Sequence, residues 1–159
     1  MSFDLLLPLV GIGLAEIGDK SQLTVLCLSS KTKSYLKLFV GVILAFIIVD
    51  GIAILLGGMI SKAVPLRLIK LVSGVIFLCF GALLLMKKED KVSCNLKSPM
   101  ISGFSLIFFS EMGDKTQLLS GMFAAQYNSL LVFTGIIAVL ALLSVLTICC
   151  GQFIYRRAD

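Results

Sequence analysis

The chain has 159 residues, a net charge of +5, 58% hydrophobic side chains and only 14% charged ones. A soluble domain is about 45–50% apolar and about 25% charged, and a 17.1 kDa chain with a mean hydropathy of +1.07 has too little interior to hide so many apolar groups from water. A soluble globule, a disordered chain and a fibre are therefore excluded, and the absence of His removes imidazole catalysis and His-ligated metal sites.

In chain order, apolar runs lie at Leu5–Ser29, Leu38–Ile60, Leu66–Met86, Met100–Ala125 and Leu130–Cys150. At 1.5 Å per residue each is long enough to cross about 30 Å of hydrocarbon as a helix. The short alternating segments of a β-barrel are missing. The chain thus reads as an all-α polytopic membrane protein with five spans. Pro65 and Pro99 stand at the entries of the third and fourth spans, where proline is tolerated. Gln126–Ser129 reads as a tight turn. The start, Met1-Ser2-Phe3-Asp4, lacks the basic region of a signal peptide.

Charge sets the expected orientation. Lys31, Lys33, Lys37, Lys87, Lys88, Lys91, Lys97, Arg156 and Arg157 share one side if all five runs cross, against Lys62, Arg67 and Lys70 on the other. The positive-inside rule then predicts an outside N-terminus and a cytoplasmic C-terminus. It also accounts for the net positive charge without nucleic acid. The five cysteines, Cys27, Cys79, Cys94, Cys149 and Cys150, have no CxxC spacing, so neither a disulfide framework nor a thiolate zinc site is expected. Cys94 would face a reducing compartment as a free thiol.

The first run contains Glu16-Ile17-Gly18-Asp19-Lys20-Ser21-Gln22-Leu23, and the fourth contains Glu111-Met112-Gly113-Asp114-Lys115-Thr116-Gln117-Leu118. The shared pattern is E-x-G-D-K-S/T-Q-L at an offset of 95 residues. Gly41 with Gly135 and Gly57 with Gly151 align at an offset of 94. The chain reads as a duplication: residues 1–90 form a first half with three spans and residues 91–159 a second half with two. Three spans separate the two motif starts, so the halves are expected to cross the bilayer in opposite senses. Such inverted repeats build transporter sites on a pseudo-two-fold axis. Glu16 and Glu111 each lie 11 residues into their runs, roughly 16 Å deep and near the midplane.

An Asp or Lys at a helix centre costs about 2.5–3.5 kcal/mol, whereas a Leu returns only about 0.3–0.6 kcal/mol. The motif charges must therefore face one another, water or an ion, and such residues are functional candidates. One reading is a structural ion-pair network, Glu16 with Lys20 and Glu111 with Lys115 at helical i,i+4 spacing. Against it, Glu16, Asp19, Glu111 and Asp114 outnumber Lys20 and Lys115 by two charges, which matches one divalent cation. The candidate ligands are those four acids, with amide oxygens from Gln22 and Gln117 and hydroxyls from Ser21 and Thr116. Lys20 and Lys115 are the charge-compensating groups. Gly18 and Gly113 can loosen the helix and free backbone carbonyls. All-oxygen sites suit Mn²⁺, Ca²⁺ or Mg²⁺ rather than Zn²⁺ or Cu. Carboxylates crowded in an empty, dry site hold protons that metal binding expels, which couples cation to proton. Asp50, midway along the second run, is a candidate proton site or gate. Glycines 41, 51, 57, 58, 74 and 81 read as close helix contacts, Cys149 and Cys150 as apolar fillers, and Ser105 and Ser110 as interhelical donors.

The two motifs resemble those of the divalent cation:proton antiporter family of Golgi transmembrane protein 165, also called uncharacterised protein family 0016. The likeness covers nearly the whole chain. It implies Mn²⁺ or Ca²⁺ transport with proton exchange, the motif acids as cation ligands, and, as in bacterial and archaeal members, Mn²⁺ export from the cell across a prokaryotic cell membrane. It also implies six spans, three per half. Here the chain ends nine residues after Cys150, so the sixth span is missing from the pattern. A homo-oligomer stays open, the cation is substrate rather than cofactor, and the partners are the ion, protons and the bilayer. The alternatives are Ca²⁺/H⁺ exchange and a divalent-cation channel, whose acids would form a selectivity ring. An enzyme is not expected, since no nucleophile–base pair stands outside the motifs.

Overall fold

A computed structural model describes residues 2–86 and 98–158. Among them all regular secondary structure is helical: α1 (Ser2–Glu16), α2 (Lys20–Ser29), α3 (Tyr35–Ala63), α4 (Leu66–Met86), α5 (Pro99–Glu111), α6 (Lys115–Gln126) and α7 (Ser129–Ala158). Lys87, Lys88, Lys91, Lys97 and Cys94 lie outside the described residues. The helices follow the apolar runs, with one systematic difference. The first and fourth runs are each two helices, broken inside the E-x-G-D-K motif. Among the described residues, α3 and the α7 stretch Ser129–Ile154 are the helices long and apolar enough to cross a membrane unbroken.

Both breaks have the same cause. Gly18 (φ 78°) and Gly113 (φ 82°) adopt the left-handed backbone that an L side chain rarely tolerates, and every other described residue avoids it. The chain leaves α1 at Glu16, turns through Gly18 and re-enters a helix after Asp19. The Asp19 amide closes the turn on the Glu16 carbonyl at 3.1 Å, as the Asp114 amide does on the Glu111 carbonyl at 3.0 Å. In each copy the glycine amide then donates to the side-chain oxygen of the motif glutamine, Gly18 to Gln22 at 3.3 Å and Gly113 to Gln117 at 2.7 Å.

The halves pack crosswise. α1 and α2 lie on α7, whereas α5 and α6 lie on α3, and α2 meets α5. Gly41 and Gly57 allow this: a Cβ on either would collide with the backbone of Met100 or Gly121 respectively. Gly74, by contrast, faces open space, so close packing does not explain it. The apolar core joins Ile12, Leu28, Leu38, Val42, Ile107, Ile136 and Leu140. Leu55, Leu78, Phe109 and Leu130 point outward, while Glu16, Asp50, Glu111, Ser21, Thr116 and Ser120 are buried. An apolar exterior around a polar centre fits a lipid solvent.

Three minor expectations change. Cys27 is disulfide-bonded, which the lack of CxxC spacing did not lead one to expect. Cys149 and Cys150 sit on the outer surface rather than filling the core. Ser105 and Ser110 donate to carbonyls of their own helix, Ile101 and Ile107, instead of crossing to a neighbour.

Candidate functional site

The helix breaks change which charges can meet. Glu16 ends α1 while Lys20 begins α2, and Glu111 ends α5 while Lys115 begins α6. The i,i+4 pairs expected within a continuous helix therefore lose their spacing. Lys115 instead crosses to the other copy, its Nζ 2.9 Å from Asp19 Oδ1.

Asp19 can reach out because it does not cap its own helix. It occupies the N-cap of α2 with extended backbone, yet its carboxylate makes no capping bond. One oxygen takes the Lys115 ion pair. The other, Oδ2, is buried with no hydrogen-bond partner among the described residues, a costly state for a carboxylate oxygen unless water or an ion binds there.

Glu16 is 1% exposed and held from both copies. Thr116 of the second motif donates its hydroxyl to Oε1, and Ser21 of the first donates to Oε2 at 3.1 Å. Glu111 is 2% exposed. Glu16, Asp19 and Glu111 each offer an oxygen, all within 4.8 Å of one another. Two ligands of an ion bound at about 2.4 Å lie at most about 4.8 Å apart, so all three oxygens could reach one hard cation.

The remaining candidates divide. Asp114 is at the N-cap of α6, likewise without a capping bond, and stands outside that group of three among the described residues. Gln22 and Gln117 spend their oxygens on the turn glycines. The Gln22 Nε2 is buried with no hydrogen-bond partner among the described residues, beside a cavity of about 10 Å³ that Glu16, Ser21 and Ser144 also line. That is close to the space one water occupies.

Asp50, 1% exposed on α3, sits one step away. Ser120 Oγ lies 2.6 Å from Asp50 Oδ1 and 2.9 Å from the Thr116 carbonyl. A hydroxyl carries one proton. The hydroxyl can share that proton between the two acceptors, or pass it to Thr116 while a protonated Asp50 donates to Ser120, so the arrangement accommodates Asp50 in either state. Sequence reasoning missed Ser120. Its signal was the i+4 step from Thr116, which puts both hydroxyls on one face of α6.

Two helices broken at facing charged turns, with helix termini and acids converging on a buried point, are the construction of a secondary transporter's ion site. The profile of the family described as "Divalent cation/proton antiporter GDT1" matches residues 4–92 and 99–159. The chain belongs to that family, which is one of transporters rather than enzymes. It is 30% identical over 125 residues to a Vibrio cholerae protein named "Putative manganese exporter", covering 77% of this chain and 62% of that one. It is 41% identical over 56 residues to the chloroplastic PAM71-homolog of Arabidopsis thaliana, covering 35% and 16% of the two chains. A Schizosaccharomyces pombe GDT1-like protein is 31% identical over 72 residues, 45% of this chain and 27% of its own. The chain thus spans less than two thirds of the length of these relatives. No solved structure matches.

Proposed function

We propose that the protein exports a divalent cation, Mn²⁺ before Ca²⁺, in exchange for protons, and that Glu16, Asp19 and Glu111 are the principal ligands. The observation that carries this reading is the oxygen cluster of those three acids, two buried and one half-buried, drawn from both motif copies, with Asp19 Oδ2 unpartnered among the described residues. The family and the Vibrio relative's name support the class of cargo and its direction.

The chemistry follows from the donors. Carboxylates and hydroxyls favour hard cations, and Mg²⁺ surrenders its waters reluctantly. The cargo ion supplies the positive charge that the acids lack. When it leaves, protons must replace it, because unpaired carboxylates are expensive in a dry interior. Asp50, buried beside the cluster, stands ready as one acceptor, since its contact with Ser120 accommodates a protonated carboxyl as well as a carboxylate. Loaded and empty sites both stay near neutral, so both can be carried between two membrane faces.

The repeated turns supply a means of access. Each half contributes one broken helix packed on the long helix of the other half, so rocking one half against the other would open the cluster to either side. In this reading five segments cross the bilayer in oppositely oriented halves, with the N-terminus outside and Lys31, Lys33 and Lys37 at the cytoplasmic face of a cell membrane.

Purified protein in proteoliposomes tests the reading. An imposed pH gradient should drive Mn²⁺ flux more strongly than Ca²⁺ flux, with Mg²⁺ least. Divalent flux that ignores the gradient would instead mark a channel.

A further inference from the structure

We infer that Lys115 is the residue that excludes monovalent cations from the site; this rests on the divalent-cation reading above. The ammonium reaches Asp19 from the opposite motif and lies 2.9 Å from its Oδ1, with the lysine side chain 15% exposed and the aspartate 18%. Asp19 also belongs to the oxygen cluster, and its second oxygen is buried with no hydrogen-bond partner among the described residues. Lys115 is therefore a tethered single positive charge parked at the edge of the cation site.

Competition follows from charge and tethering. Na⁺ or K⁺ brings the same single charge that the ammonium already provides. It must also arrive from dilute solution, whereas the ammonium is held on the same chain at high effective concentration. A divalent ion is attracted twice as strongly at the same distance, so it can share or displace the lysine. Carboxylate oxygens alone do not make this distinction, because Na⁺ is also a hard ion. The selectivity lies in the resident charge.

The test uses the full chain in proteoliposomes, with Mn²⁺ flux measured in sodium chloride and in equimolar choline chloride, and with uptake of radioactive sodium. Wild-type flux should be the same in both salts. Lys115→Met should lose Mn²⁺ flux several-fold in sodium and should take up sodium itself, while Lys115→Arg, which keeps the charge, should resemble wild type. A Lys115→Met protein that carries Mn²⁺ equally in both salts and admits no sodium overturns the inference. Lys115→Gln serves if the Met variant fails to fold. The wild type gives a separate decision: sodium that competes with Mn²⁺ there overturns the inference whatever the variants do, and indifference supports it. A wild-type protein that moves no divalent cation refutes the transport reading instead, which is a different outcome.

Discussion

The Thr116 hydroxyl donates to Glu16, joining the fourth apolar run of the sequence to the first across 100 residues. Glu16 is thereby oriented by the half of the chain to which it does not belong. A partner that orients a metal-binding group typically changes metal affinity by about 10–100-fold when removed. Thr116→Val should therefore weaken Mn²⁺ binding by about 10–100-fold, and Thr116→Ser should stay within a few-fold of wild type. Isothermal titration in detergent measures both; equal affinities for Val and Ser would mean the hydroxyl is idle.

The acids should not be equivalent. Glu16, Asp19 and Glu111 share the oxygen cluster, whereas Asp114 stands outside it. Glu16→Gln, Asp19→Asn and Glu111→Gln should each reduce Mn²⁺ affinity by roughly 100-fold or more, at least the loss typical of an outer partner. Asp114→Asn should cost clearly less. Transport assays on the four variants check the ranking, and an Asp114 variant as damaged as the others would relocate the centre of the site.

Much of this was legible from residue order. The apolar runs gave the helices, because lipid-facing segments leave little choice of backbone structure. The duplicated motif drew attention to its acids and lysines before any geometry was available. Partner choice was not legible. Helical spacing pointed to Glu111 with Lys115, but a left-handed glycine between them ended the helix and sent Lys115 to Asp19. The motif glutamines stood out because an amide oxygen suits a hard cation. That each also accepts from the glycine amide exposed by the turn was not legible, since the turn itself was not. Ser120 lies outside the repeated octapeptide, so only packing could connect it to Asp50.

The glycine turns give a stability prediction with a single cause. A Cβ at Gly18 or Gly113 would meet nothing within 4 Å, so a substitution there suffers only from positive φ. Gly18→Ala and Gly113→Ala should each cost about 1–2 kcal/mol. Asn, which tolerates the left-handed region better, should cost less. Thermal unfolding in detergent reads the order Gly, Asn, Ala; an alanine variant as stable as wild type would mean the helix can run straight through the motif.

Asp50 offers the sharpest separation of proton from metal. It lies outside the oxygen cluster, and its contact with Ser120 accommodates a protonated carboxyl. Asn at this position keeps the shape and supplies a permanent N–H donor to Ser120, which can go on donating to the Thr116 carbonyl. Asp50→Asn therefore fixes the hydrogen-bond pattern of the protonated state and removes one titrating group. Mn²⁺ affinity at a single pH should change only a few-fold, because no ligand is lost. Exchange should respond less to the imposed gradient. In wild type a larger inward proton gradient should speed outward Mn²⁺ movement, and collapsing it with an ionophore should slow that movement. In the variant both responses should flatten. Internal pH recorded during flux supplies the second readout: fewer protons should enter per Mn²⁺ leaving. A variant with wild-type gradient dependence and wild-type proton count would remove Asp50 from the coupling and leave the three cluster acids to carry every exchanged proton.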